Sequence, residues 1–218
     1  MKLFAWDFHG TLEQGTPVGF AQLLKDLAKS INYPIKVDVE GVKKLYGLSI
    51  LDYLRHYFPK FSNEELIGLR SKIRTLQGRK HIAKYIKQAP YASFVLSQIK
   101  KAGHQNIIVS TSSQRHVAGF LKVVDLYRYI DEVFGIDRHS LDGEFNIGLE
   151  KSKAIKSYSQ KLKIDSSRIV VIGDRQGDIE AGLLVGAVTY QYINADFPAV
   201  RTGAKYKIRD LRKILKEV

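Results

Sequence analysis

The sequence predicts an α/β protein with a mainly parallel sheet and an inserted α-helical module. Short apolar runs at Leu3 to Trp6, Asn106 to Val109 and Ile169 to Ile172 each lead into a polar residue, as buried strands do at the ligand-binding edge of an open α/β sheet. Helical patterns separate the last two runs, and strand-helix alternation of this kind builds parallel sheets. Between residues 13 and 88 the alternation stops, and five helical patterns follow one another without a clear strand.

The first run ends on Trp6-Asp7-Phe8-His9-Gly10-Thr11-Leu12. A helix with Phe20, Leu23, Leu24, Leu27 and Ile31 at helical spacing follows Gly15-Thr16-Pro17, and Asn32-Tyr33-Pro34 stops it. Val39, Val42, Leu45 and Tyr46 mark a second helix; Ile50 to Phe58 mark a third, ended by Pro59. Ser62 and Glu65 form a capping-box pattern that opens a fourth helix along Leu66, Leu69, Ile73 and Leu76. His81 to Ile86 suggest one more, closed by Pro90.

Alternation resumes with a helix from Tyr91 to Ile99, stopped at Ala102-Gly103, and the strand that runs into Ser110-Thr111-Ser112-Ser113. One residue of that cluster is expected to cap the helix from Gln114 to Val124. Val133 to Ile136 is the next strand, Leu141 to Glu144 a hairpin-type turn, and Lys151 and Lys153 open a helix along Ala154, Ile155, Tyr158 and Leu162. Strand Ile169 to Ile172 runs into Gly173-Asp174-Arg175-Gln176-Gly177-Asp178, where two carboxylates four residues apart suit a hard divalent cation such as Mg²⁺; Asp178 is equally a helix N-cap in this pattern. Val188 leads a last strand.

Composition bounds the function classes. The 218 residues are 44% hydrophobic, enough for a substantial core, and no apolar run approaches the roughly 18 to 20 residues of a membrane span. The start Met1-Lys2-Leu3 enters a strand without a signal-peptide pattern, so a cytoplasmic protein is expected. With no cysteine, thiol catalysis and disulfides are excluded, and no His pair stands at zinc-ligand spacing. The net charge of +13 raises anionic partners, either multiply phosphorylated substrates or nucleic acid. Residues 13–88 hold 14 Lys and Arg against 7 Asp and Glu, so the excess is spread over the chain, with a local run at Arg79, Lys80, Lys84 and Lys87. Oligomeric state has no signature in the sequence.

Four of these stretches together resemble the haloacid dehalogenase (HAD) superfamily of hydrolases. Its first motif is an apolar strand followed by DxDGTL, matched here by Asp7, Gly10, Thr11 and Leu12, with His9 where most phosphatases of the family carry a second Asp. The second motif, a strand ending in Ser or Thr, falls on Ser110, with Thr111 as the reserve choice; the third, a lysine, on Lys151, with Lys153 as the alternative; the fourth, GDxxxD, on Asp174 and Asp178.

The resemblance implies a Rossmann-like core at 1–12 and 89–218 and a helical cap at 13–88, as in the phosphoglycolate phosphatase and β-phosphoglucomutase branch, where the cap closes over the site and selects the substrate. It further implies a Mg²⁺-dependent phosphatase forming an aspartyl-phosphate on Asp7. The metal would be held by Asp7, the His9 backbone carbonyl, Asp174 and Asp178. Ser110 and Lys151 would hold the phosphoryl group. In the family the Asp two residues after the nucleophile is the acid/base. A histidine is competent for both steps, with an ordinary pKa of about 6.5. Thr111, Arg79 and Lys80 are the candidate substrate contacts. A small phosphorylated metabolite or nucleotide is the expected substrate, because a cap would keep a polymer from Asp7. The alternatives are a phosphotransferase, a carbon-phosphorus hydrolase, or a catalytically weak protein that binds a phospholigand or nucleic acid.

Overall fold

The structure, a computed structural model, describes residues 1–77, 82–138, 145–195 and 197–218. The chain divides into two compact units. One comprises Met1–Gln14, Lys87–Ala195 and Ala199–Val218; the other comprises Gly15–Ile86 with Phe197 and Pro198.

The first unit is built on a parallel sheet of six strands: β1 (Leu3–Trp6), β4 (Gln105–Ser110), β5 (Glu132–Gly135), β6 (Ile169–Gly173), β7 (Val188–Tyr192) and β8 (Tyr206–Ile208). The order across the sheet is β5-β4-β1-β6-β7-β8, so the first strand of the chain lies in the middle. A central strand of a parallel sheet is covered on both faces, and Leu3, Phe4, Ala5 and Trp6 are accordingly all buried. Leu3 and Ala5 join Ile107, Val109, Ile169 and Val171 in a core layer closed by Ile155 and Ala181. These last two lie on helices α7 (Ile147–Lys161) and α8 (Gln176–Leu184). Trp6 is fully buried, and its indole N–H donates to Asn106 Oδ1 at 3.0 Å. Asn106 in turn donates to the Leu96 and Tyr129 carbonyls. Burying an amide is tolerable only with partners of this kind.

Helices α5 (Ala92–Lys101) and α6 (Gln114–Val123) complete this unit. A two-stranded antiparallel ribbon of β2 (Glu13–Gln14) and β3 (Lys87–Gln88) stands where the chain leaves and re-enters it. Two-residue strands leave no periodic trace, so the sequence reads this stretch as helical.

The second unit holds α1 (Thr16–Ser30), α2 (Val39–Lys44), α3 (Ile50–Tyr57) and α4 (Asn63–Gln77). Its core is Phe20, Leu23, Leu24 and Leu27 of α1 with Tyr53, Leu54, Phe58, Leu66, Leu69 and Ile73, all buried. The Phe20 and Tyr53 rings meet edge to face at 4.8 Å. Its caps are explicit. Ser49 and Asp52 bond reciprocally, and so do Ser62 and Glu65, through Glu65 Oε2 to the Ser62 amide at 2.7 Å and the Glu65 amide to Ser62 Oγ at 3.3 Å.

Three expectations are corrected. The helix expected from His81 to Ile86 is, among the described residues, a single 3₁₀ turn at Ile82–Lys84. The helix carrying Lys151 starts at Ile147, capped by the Asn146 side chain on the Leu149 amide, so the lysine lies more than a turn inside it. A further strand, β8, follows the one read as the last. The turn at 141–144 lies outside the described residues.

Candidate active site

The site forms at the carboxyl edge of the sheet, on loops that leave β1 and β6. The Asp7 amide continues the β1 ladder by donating to the Ile172 carbonyl at 2.8 Å. The chain then turns sharply: the Phe8 carbonyl accepts from the amides of Thr11, Leu12 and Glu13 at 3.3, 2.9 and 3.1 Å. Gly10, at φ 80°, supplies the left-handed residue this turn requires. The Gly10 carbonyl accepts from buried Asn194 at 3.0 Å.

At the end of β6, Asp174 and Asp178 face Asp7. The three residues each offer a carboxylate oxygen, and these oxygens lie within 4.8 Å of one another. Asp178 is not the helix cap allowed by the sequence. It is the third residue of α8, and its Oδ2 accepts from the Arg175 amide at 2.9 Å. The side chain folds back so closely over Gly173 that a Cβ there would collide with it. Gln191 of β7 donates to the Asp174 carbonyl at 3.4 Å and to that of Val200 at 2.8 Å, fixing the loop from the next strand.

Lys151 crosses from α7 into this cluster, its Nζ donating to Asp7 Oδ1 at 2.7 Å and Asp178 Oδ1 at 2.5 Å. Lys153, the alternative, points elsewhere: its side chain is 61% exposed and pairs with Glu150. Arg175 Nε lies 3.1 Å from Asp174 Oδ2.

The electrostatics follow from burial. Loss of solvent pushes the Asp7 carboxyl up to about 6; Lys151 pulls it down, Asp178 raises it further, and His9 weakly lowers it. Burial likewise raises Asp174 well above the ordinary carboxylate range, with Asp7 and Asp178 adding to the rise against Arg175 and Lys151. Burial alone would lower Lys151, but Asp178 and Asp7 reverse the sign and hold it above its ordinary value. Two cations face three buried carboxylates: the Lys151 ammonium between Asp7 and Asp178, and the Arg175 guanidinium beside Asp174. Asp174 Oδ1 is buried and, among the described residues, has no hydrogen-bond partner. An oxygen set so clustered and so under-neutralised fits a hard divalent cation held by Asp7, Asp174 and Asp178.

His9 is not in this cluster of carboxylates. Its side chain is 16% exposed, and its Nδ1 lies 2.9 Å from Oε1 of Glu13, which is fully buried. Ser110 ends β4 two residues beyond Ile108, the partner of Trp6, so it stands at the same sheet edge. Its Oγ accepts from the Ser112 amide at 3.2 Å, while the Thr111 carbonyl accepts from the Arg138 amide at 3.0 Å. The expected cap of α6 is corrected: Ser113 is the N-cap residue but makes no side-chain cap bond. Arg79 and Lys80 lie outside the described residues.

Four participants escape the sequence reading. Arg175 adjoins Asp174, and Glu13 is four residues after His9, so local spacing could have raised both. Gln191 and Asn194 had only the weak signal of polar residues on and after an apolar strand.

No helix among the described residues is long and apolar enough to cross a membrane. A comparison with curated proteins found no match. Among solved structures, the chain is similar to a protein of Haemophilus somnus described as a predicted phosphoglycolate phosphatase, at 17% identity and TM-score 0.80, covering 99% of this chain and 97% of that one. It is also similar to a predicted phosphatase of Clostridium acetobutylicum, at 19% identity and TM-score 0.75 over 99% and 98% of the two chains. A third is a haloacid dehalogenase-like family hydrolase of Streptococcus pneumoniae, at 14% identity and TM-score 0.76 over 99% and 97%. At these identities the likeness is one of fold, but the family model of haloacid dehalogenase-like hydrolases matches residues 4–190, and the chain belongs to that family.

Proposed function

We propose that the protein is a Mg²⁺-dependent phosphatase that hydrolyses a small phosphorylated metabolite or nucleotide through an aspartyl-phosphate on Asp7. The observation that carries this reading is the convergence of Asp7, Asp174, Asp178 and Lys151 at the end of the sheet. Phosphoryl transfer asks mainly for positioning and charge stabilisation, and this cluster offers a nucleophile, a metal-binding oxygen set and a fixed cation together.

Asp7, Asp174, Asp178 and the His9 backbone carbonyl would hold the ion, which when bound screens the phosphoryl charge. A carboxylate oxygen of Asp7 attacks phosphorus, the ester P–O bond breaks, and the leaving oxygen takes a proton from His9. His9 then removes a proton from water, whose oxygen attacks phosphorus and releases inorganic phosphate and free Asp7. Lys151 and Ser110 bind phosphoryl oxygens, the lysine as a point charge already placed beside Asp7, and Thr111 contacts the substrate.

The test is release of inorganic phosphate from a panel of phosphorylated metabolites that includes phosphoglycolate, with Mg²⁺ or EDTA, for wild type and Asp7→Asn. Turnover that needs the ion and disappears in Asp7→Asn is expected; turnover that survives either change would sink the reading. A second reading, phosphotransferase or carbon-phosphorus hydrolase, is favoured only by His9 at the position of the usual Asp. Transfer of the phosphoryl group to an added alcohol, or phosphate release from a phosphonate, would select it.

A further inference from the structure

The histidine that replaces the customary Asp does not stand alone. Glu13 has no exposed surface, and its Oε1 lies 2.9 Å from His9 Nδ1. Its backbone is fixed twice: the amide donates to the Phe8 carbonyl at 3.1 Å, and the residue pairs with Gln88 across the β2–β3 ribbon. Gln88 is itself held by a 2.7 Å bond from its side chain to the Val124 carbonyl. The His9 ring is flanked by Phe8 and Phe120, with centroids at 5.0 and 5.8 Å, both edge to face. The imidazole is thus pinned by one carboxylate and two aromatic walls.

We propose that Glu13 is the positioning residue for His9: it accepts a hydrogen bond from Nδ1–H and thereby assigns Nε2 as the nitrogen that exchanges protons with leaving group and water. A carboxylate offers only acceptor oxygens, so pairing with it keeps a proton on Nδ1 in both ring forms: Nε2 gives its proton to the leaving group from the imidazolium and, with its lone pair, takes one from water in the neutral ring. The same logic lets a buried carboxylate orient the histidine of a catalytic triad. A carboxylate at this position would have two equivalent oxygens; an imidazole has two unlike nitrogens, and one must be selected. In this chain the His at position 9 has a buried acid four residues later in sequence. The inference rests on the acid/base reading of His9.

The experiment combines ¹⁵N NMR of histidine-labelled protein with steady-state kinetics on wild type, Glu13→Gln and Glu13→Ala, all at one pH. His9 is identified among the six histidines by the signal missing from His9→Gln. In wild type, the neutral form of the His9 ring should show protonated Nδ1 and bare Nε2. Glu13→Gln, whose amide oxygen can still accept, should keep that pattern and lose less than about 10-fold in kcat; Glu13→Ala should lose the pattern and about 10- to 100-fold in kcat, with KM within about twofold. Glu13→Gln also guards against a folding failure in Glu13→Ala. Identical His9 signals in wild type and Glu13→Ala would overturn the pairing, and an unchanged kcat in Glu13→Ala would overturn its purpose. A Glu13-dependent pattern in a protein that releases no phosphate would instead overturn the acid/base reading while keeping the pair.

Discussion

The two units of the chain differ in what they bury. Among the described residues of the helical unit, the buried side chains are apolar or tyrosine, and its charges sit at caps and on the surface. The sheet unit buries Asp7, Glu13, Lys151, Asp174 and Asp178. The helical unit follows the ordinary logic of amphipathic helices, in which an apolar stripe faces the core and charged groups face solvent. The sheet unit spends stability at one edge, since three desolvated carboxylates held by one ammonium and one guanidinium cost free energy that a bound cation would offset.

Lys151→Met should break this contrast most severely, because it strips the shared cation from Asp7 and Asp178 at once. It should lower stability by about 3–5 kcal/mol, measured by urea unfolding, and abolish measurable turnover. Asp174→Asn should separate the two currencies. Phosphate release should fall by about 10²- to 10³-fold, while in EDTA at pH 7 the melting temperature should rise, since a desolvated carboxylate is gone; the rise that Mg²⁺ gives wild type should vanish.

The third prediction concerns pH. The folded pKa of Asp7 lies near 6, above its ordinary 3.8, so between these values the folded state binds more protons than the unfolded one. Metal-free stability should therefore fall as pH rises from about 4 to 6, by up to about 3 kcal/mol from Asp7, with Asp174 acting in the same direction. His104, whose pKa burial lowers, works in the opposite sense below its ordinary 6.5 and blunts the effect. Asp52 in the helical unit is lowered, chiefly by its bond from Ser49, so its contribution is lost only below about pH 4, outside this window. Urea midpoints in EDTA at pH 4.5 and 6.5 check the sign, and a higher midpoint at 6.5 would contradict it. The smallest effect belongs to the helical unit: Ser49→Ala should cost about 1 kcal/mol through its lost cap and leave this pH slope unchanged.

The same contrast explains what could be read in the sequence. Leu3 to Trp6 and Ile169 to Ile172 were legible because central parallel strands are continuous apolar runs, and α1 because its buried face repeats at helical spacing. The β2–β3 ribbon and β8 were not, because strands of two or three residues exist through pairing with partners distant in sequence. Asp7 and Asp174 could be picked out because each follows a buried strand, and Asp178 because it stands four residues after Asp174. That Lys151 and not Lys153 meets them depends on where α7 begins, which Asn146 sets from outside the apolar pattern. The bonds that finish the site join residues 144 and 184 positions apart, Lys151 to Asp7 and Asn194 to Gly10, and no local window contains both ends.

The sheet order gives those long separations a meaning in time. Strand β1 leaves the ribosome before the other five strands of its sheet, yet its two neighbours begin at residues 105 and 169, and the brace on its loop waits for Asn194. A nascent chain therefore cannot enclose Asp7 until those later elements have been made. The side chains that enclose the carboxylate come from α7 and α8, so the cluster at this edge cannot assemble before the chain has been made through Asp178.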